Sequence, residues 1–351
     1  MSHPEGSLAP WLGSQLSGLL ARRSHALLIS GPSGLGQYEL ALALATAWLC
    51  QSPTEQGACG QCASCHAVSV RTHPDLCVLM PEVLSLALQW PLDERVQDEL
   101  DSKKRKPSKD IKVEAAREAV AFTQMTRSGG DTKVVLVYPA ERMNSITANT
   151  LLKTLEEPVG QVRFILASEA ADQLLPTIRS RCQAHELAWP DFDAALDWLQ
   201  AQTKDGQGRG ADPQDLRVLL TAAGGRPADA LARLREADAK QAASQWRALP
   251  KAMARGDVSA LSGWSPAQAI DALQKLCHDV WVLRVGGTPR FFQAQDLPAA
   301  RAAAASKTSL YALGNWSHEL ASSARTAEHP FNAGLMLEAL TSRARQALLT
   351  D

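Results

Sequence analysis

The stretch Gly31-Pro32-Ser33-Gly34-Leu35-Gly36-Gln37-Tyr38 constrains the fold of this chain more than any other. An apolar segment, Ala26-Leu27-Leu28-Ile29, precedes it, and a helical pattern from Glu39 to Cys50 follows. Strand, glycine-rich loop and helix in that order make the layout of a phosphate-binding P-loop. Gly31, Gly34 and Gly36 permit the tight backbone wrap, and the helix N-terminus behind them favours an anion. A working loop ends in Gly-Lys-Ser/Thr, whereas this one ends in Gly36-Gln37-Tyr38. Gln37 brings no charge to the β- and γ-phosphates, and Tyr38 has no small hydroxyl to place on a magnesium ion.

A nucleotide hydrolase of this type needs a second station, an acidic residue at the end of a buried strand, which holds the metal and polarises water. The continuous apolar run Lys133 to Tyr138 reads as that strand, buried on both faces of a parallel sheet. It ends in Tyr138-Pro139-Ala140-Glu141, with Pro139 and Ala140 where an Asp-Glu pair is expected. Glu141 comes two residues late and reads as the opening of the next helix. Two independent losses point to a silent site: a degenerate, non-functional loop at Gly31, Gly34, Gly36, Gln37 and Tyr38.

Four of the seven cysteines fall in one cluster, Cys50, Cys59, Cys62 and Cys65, on a stretch that also holds Gly57 and Gly60. Thiolates at C-x8-C-x2-C-x2-C spacing can converge on one tetrahedral zinc as a closed structural site. An iron–sulfur cluster would show another cysteine close behind, and position 69 is serine. His66 could replace one ligand. Cys77, Cys182 and Cys277 stand alone and read as small apolar core residues. An odd cysteine count with a metal-like cluster suits a reducing, cytoplasmic setting better than a disulfide framework. The N-terminus, Met1 to Gly6, shows no signal peptide, and no stretch is apolar enough to span a membrane.

Along the chain, helices are expected at 8–24, from the loop to about Cys50, at 111–127, and from a cap at Asn144 or Ser145 to Glu157, where Pro158 stops it. A short helix is expected over 67–72, and another ends at Arg179-Ser180-Arg181-Cys182. Strands are expected at 26–30, 75–80, 133–138, 162–168 and 183–187. Strands alternating with helices over 1–188 predict an α/β doubly wound parallel sheet. Residues 81–110 differ in character: Asp93, Glu94, Asp98, Glu99 and Asp101 precede Lys103-Lys104-Arg105-Lys106 and Lys109. They read as a solvated, partly disordered surface insertion, or as a basic element that touches DNA phosphates or an acidic partner. After Pro190 every segment reads as helix: 191–203, a Gly-rich turn at 204–210, 213–223, 227–238, and an Ala- and Leu-rich remainder. That remainder breaks at Gly256, Gly263, 286–289, 297–298 and 329–330. The 351 residues suggest two or three domains. With a net charge of −1, any nucleic-acid contact would come from a local patch.

Arg181, in Ser180-Arg181-Cys182, would ordinarily be a surface charge. In a chain without nucleotide chemistry of its own, an arginine fork is also the side chain that stabilises phosphoryl charge in a neighbouring subunit's site.

Taken together, Gly31–Tyr38, the four-cysteine module at 50–65, Ala148-Asn149-Thr150-Leu151-Leu152-Lys153-Thr154-Leu155-Glu156-Glu157-Pro158 and Ser180-Arg181-Cys182 resemble the delta-prime family of bacterial DNA polymerase III clamp-loader subunits, within the AAA+ class. The resemblance implies an AAA+ module over 1–188 with a degenerate P-loop and a zinc-binding insertion, a small helical lid over 189–238, and an all-α collar over 239–351 that closes a hetero-pentameric ring. It implies as partners the ATPase (gamma/tau) subunits and the delta subunit. The sliding clamp and primed DNA would be met through the complex, with no membrane involved. The chain would hydrolyse no ATP itself, and Arg181 would act in trans as an arginine finger during clamp loading in DNA replication. The lid arginine of the ATPase paralogues is also missing, because Gly225-Arg226-Pro227-Ala228-Asp229-Ala230-Leu231 has Ala228 at its place. Two other functions compete with this one: an active ATPase subunit of the same loader, and a zinc-dependent nucleic-acid-binding module.

Overall fold

The computed structural model describes residues 8–128, 130, 132–204, 210–297, 307–326 and 332–349. Gly129, the centre of the 204–210 turn, and the breaks at Pro298 and His329-Pro330 lie outside the described residues, as does Met1 to Gly6. The chain divides into two compact units, Met1–Asp191 and Phe192–Asp351.

The first unit runs α1 (Pro10–Leu20), β1 (Ala26–Ser30), α2 (Gln37–Leu49), α3 (Ala63–Ser69), β2 (Leu76–Leu79), α4 (Glu82–Ala87), α5 (Glu94–Asp101), α6 (Val113–Gln124), β3 (Lys133–Val137), α7 (Ser145–Glu156), β4 (Val162–Ser168), α8 (Pro176–Arg179) and β5 (Gln183–Glu186). The five strands form one parallel sheet, as expected, and its strand order is β2-β3-β4-β1-β5. Successive side chains on a strand point to opposite faces, so each buried strand feeds two cores. Leu27, Ile29, Val134, Leu136 and Ile165 pack against Leu12, Leu16 and Leu19 of α1 and Leu40 and Leu44 of α2. Leu28, Val135, Val137, Phe164 and Leu166 pack against Ala116 and Ala119 of α6 and Leu151 and Leu155 of α7. The register Ser30↔Ser168 sets the C-terminal ends of β1 and β4 level, and β3 lies on the other side of β4. In an open parallel sheet these strand ends are where a ligand crevice forms.

Three local expectations change. The helix in the cysteine segment starts at Ala63 and not at 67, because Cys62 caps it: its Sγ accepts the Cys65 N–H. Glu141 lies in a 3₁₀ turn, Ala140–Arg142, while α7 is opened by Asn144, whose Oδ1 accepts the Thr147 N–H at 2.8 Å. The insertion at 81–110 is ordered into α4 and α5. Its acidic helix and lysines are largely solvated, but Trp90 and Glu82 are buried.

The second unit contains α9 (Phe192–Gln202), α10 (Pro213–Ala222), α11 (Pro227–Glu236), α12 (Ala239–Arg255), α13 (Pro266–Arg284), α14 (Lys307–Arg325) and α15 (Ala333–Leu349). It holds two apolar cores. A small one joins α9, α10 and α11 through Leu199, Leu220 and Leu231. A larger one spans 218–348 around Trp246, whose ring stacks on Phe292 with centroids 4.5 Å apart. The fully buried Asp279 holds the segment after α13 by accepting the backbone N–H groups of Arg290, Phe291 and Phe292 at 2.6–2.9 Å. No described helix is long and apolar enough to cross a membrane.

Candidate functional site

The glycine-rich loop joins β1 to α2, with Gly34 and Gly36 at φ +77° and +105°. Its interior is occupied by the chain's own side chain. Gln37 is buried, and its Nε2 donates to the carbonyls of Gly31 and Pro32 at 2.6 Å each. The amide therefore turns back into the loop, where a lysine would reach outward to phosphate. Trp11 of α1 closes the other flank by donating from Nε1 to the Leu35 carbonyl at 3.0 Å.

Tyr38 extends this closure to the ends of the neighbouring strands. Its buried ring lies against that of Tyr138, with centroids 5.3 Å apart. Trp90 of the insertion donates its indole N–H to the Tyr38 hydroxyl at 2.7 Å, and Met80 completes an apolar cluster with the two. The Arg71 guanidinium lies over the Trp90 ring, 4.9 Å from its centroid. Tyr138 donates its hydroxyl to Glu169 Oε1 at 2.7 Å, and burial raises both phenol pKa values. Glu141 ties the end of β3 to the end of β4, accepting from the Ser168 hydroxyl at 2.7 Å and from the Glu169 N–H at 3.1 Å. Aromatic rings thus occupy the space beside the loop, and Glu141, the glutamate after β3, is committed to the Ser168 hydroxyl and the Glu169 N–H. Tyr138, Trp90, Glu141 and Glu169 were not legible as site residues. Trp90 lies in a charge-dominated segment 52 positions from its partner, and Glu141 reads locally as a helix opener.

The four cysteines converge as the spacing predicts. Cys50 and Cys62 Sγ atoms are 3.9 Å apart, those of Cys59 and Cys65 are 4.0 Å apart, and all four lie within 4.8 Å of one another. A tetrahedron with metal–sulfur bonds of ~2.3 Å has edges of about 3.8 Å, so this donor set could hold a metal ion. The local backbone supports thiolates, since the Ser52 and Cys59 N–H groups point at Cys50 Sγ at 3.4 and 3.3 Å. Backbone N–H groups of Cys65 and Gln51 lower the Cys62 pKa to about 6, while burial and its neighbour Cys62 raise that of Cys65 to about 12. His66 is exposed and outside the cluster. Cys277 is buried and Cys77 and Cys182 are half-buried, and desolvation pushes each of these thiols up to about 12.

Arg181 follows α8 and is partly exposed. Its Nε donates to Glu156 Oε1 at 2.6 Å, Nη2 reaches the same oxygen, and Nη1 donates to the Thr177 carbonyl at 2.8 Å. Ala228 sits in the first turn of α11, and Arg226 beside it is engaged locally, with Asp229 at 3.0 Å and the Ala223 carbonyl at 2.8 Å.

Comparison with known proteins places these features. The family described as DNA polymerase III, delta subunit matches residues 17–191. The chain is similar to the DNA polymerase III subunit delta' of Pseudomonas aeruginosa, 39% identical over 222 residues, 62% of this chain and 58% of that protein. It is 32% identical over 285 residues to the subunit delta' of Escherichia coli K12, covering 76% of each chain. It also resembles the DNA polymerase III subunit tau of Escherichia coli K12, 29% identical over 212 residues, 60% of this chain and 29% of that one. The likeness thus spans 58% of the Pseudomonas protein's length and about three quarters of the E. coli one. With a third of its residues identical across most of the E. coli subunit, the chain belongs to the delta-prime subunit family of DNA polymerase III.

Proposed function

We propose that this chain is the non-hydrolysing delta-prime subunit of the replicative clamp loader. It braces a ring of gamma/tau-type ATPase subunits and delta in the cytoplasm, and through that ring takes part in loading the sliding clamp on primed DNA. One observation carries the reading. Gln37 is folded onto the loop's own carbonyls, and the Tyr38–Tyr138–Trp90 cluster lies where a metal and its nucleotide would need polar room. Hydrolysis needs a phosphate-facing cation and a metal-holding carboxylate, and neither stands at the loop or directly after β3.

In this reading residues 1–188 are an AAA+ module, 189–238 a lid and 239–351 a collar. The small core of α9–α11 falls within the lid, while the Trp246 core takes Val218, Leu219 and Ala222 of α10 together with the collar helices, so that α10 serves both. The four cysteines hold a structural zinc. Four thiol sulfurs within 4.8 Å of one another suit that ion. Arg181 serves as the finger, placing a guanidinium against the nucleotide of an adjacent ATPase subunit.

The test is reconstitution of the full complex with Arg181→Ala. Fingers supply ~10³–10⁵ in rate in the best-studied nucleotide hydrolases, so hydrolysis at the one served site should be abolished. The complex should keep its mass, and DNA-stimulated ATPase activity should fall by at least that site's share. An unchanged rate rejects the finger. Measurable hydrolysis by the isolated chain rejects the silent-site reading.

A further inference from the structure

We infer that Glu156 is a positioning residue for Arg181, an inference that rests on the finger role proposed above. Glu156 is the last residue of α7, within the Leu151–Pro158 stretch that the chemistry so far leaves without a task. The end of α7 is a fixed point. Leu151 and Leu155 are fully buried in the sheet core, and the Leu155 carbonyl is within 2.9 Å of His25 Nε2 at the foot of β1. Arg181 lies 25 positions further on, after a helix of only four residues. An arginine on such a segment has many rotamers, and holding it in one costs conformational entropy unless bonds select that rotamer.

The bonds here do so. The Nε and Nη2 edge of the guanidinium is taken by one Glu156 oxygen, and Nη1 is held by the Thr177 carbonyl, with Ser180 Oγ a further 3.5 Å contact. Because the fork is planar, fixing one edge fixes the plane and the direction of the opposite edge. Nη2 keeps its second N–H on that opposite edge. Both side chains remain partly exposed, at 30% and 48%, so a second subunit's phosphate can approach the fork without displacing the core. Glu156 therefore supplies preorganisation: the arginine arrives oriented, and less entropy is lost as the transition state forms.

The experiment compares Glu156→Gln, Arg181→Ala and the double variant in the reconstituted complex with ATPase subunits, delta and primed DNA. Glutamine keeps size and some hydrogen bonding but loses the charge that fixes the fork. Glu156→Gln is expected to reproduce about half or more of the Arg181→Ala loss in kcat, with KM for ATP and complex mass unchanged. In the double variant Glu156→Gln should add nothing, because its effect passes through Arg181. If Glu156→Gln leaves the rate intact while Arg181→Ala lowers it, the positioning role is overturned and the finger stands. If Glu156→Gln lowers the rate equally with and without Arg181, the residue acts by another route and the inference also fails. If Arg181→Ala changes nothing, the finger reading itself is what has failed.

Discussion

Gly36 shows why a loop with glutamine at position 37 still requires glycine before it. Its φ of +105° lies in a region that L residues rarely adopt, and a Cβ there would come within 2.6 Å of Leu12 Cδ1. Leu12 is itself fully buried in the core that joins α1, α2 and the sheet. Gly36→Ala therefore adds backbone strain and displaces a core leucine, and should cost about 1–3 kcal/mol in urea unfolding. A variant as stable as the parent would show that α1 can move off the loop. The residue is retained by the turn and the packing behind it, and neither needs a nucleotide. Gln37 shows a side chain that acts as an internal brace, its amide donating to the loop's own Gly31 and Pro32 carbonyls.

At the scale of elements, the insertion is the part of the fold that local pattern concealed. Its composition is that of a solvated segment, and α5 indeed buries no residue. Yet Trp90, just after α4, is 8% exposed and bonded to Tyr38. Trp90→Ala removes a buried indole and leaves the Tyr38 hydroxyl without that donor. The expected cost is about 3–5 kcal/mol, with loss of near-ultraviolet ellipticity from the tyrosine pair. A loss under 1 kcal/mol would mean that the insertion merely rests on the site.

The same element carries a pH response. Burial alone would raise the Glu82 carboxyl, but bonds from Arg105, Lys112 and the Ser108 N–H outweigh it and hold the group at about 2. A folded-state pKa below the unfolded one stabilises the protein above the unfolded value, and that stability is lost as pH falls through the folded one. The stability gap between the parent and Glu82→Gln should thus be full at pH 7 and narrow as pH falls from about 4.5 towards 2. A gap that does not change with pH would exclude the carboxylate clasp.

Short-range pattern was enough for the P-loop turn, the five strands and the cysteine cluster, because each rests on spacings of a few residues or on unbroken apolar runs. Trp90 with Tyr38, Glu141 with Ser168, and Glu156 with Arg181 were not legible, because each pair joins residues 25 or more positions apart and neither member signals the other.

At the scale of the whole molecule, the two units have separate cores. Among the described residues, the buried members of the Trp246 core run from position 218 onward, and the cysteine cluster belongs to the first unit. The cluster connects to that unit's sheet layer through α2. Cys50 follows its last turn, and the Ser64 hydroxyl donates to the Leu49 carbonyl at 2.5 Å. A bound zinc would therefore add to the folding free energy of the first unit and leave the second unit's helices untouched. Calorimetry of the full chain should show the two units as separable transitions. Stripping the metal with a chelator, or replacing Cys59 and Cys62 by serine, should lower one transition by about 5 °C or more, since about 1 kcal/mol shifts a unit of this size by ~2–4 °C. The other transition should stay in place. Release of one zinc per chain on thiol modification should accompany the shift. Two transitions that fall together would mean that the metal module supports the whole chain. No zinc released, with neither transition moved, would leave the four thiols as a reduced, unliganded cluster and reject the structural zinc.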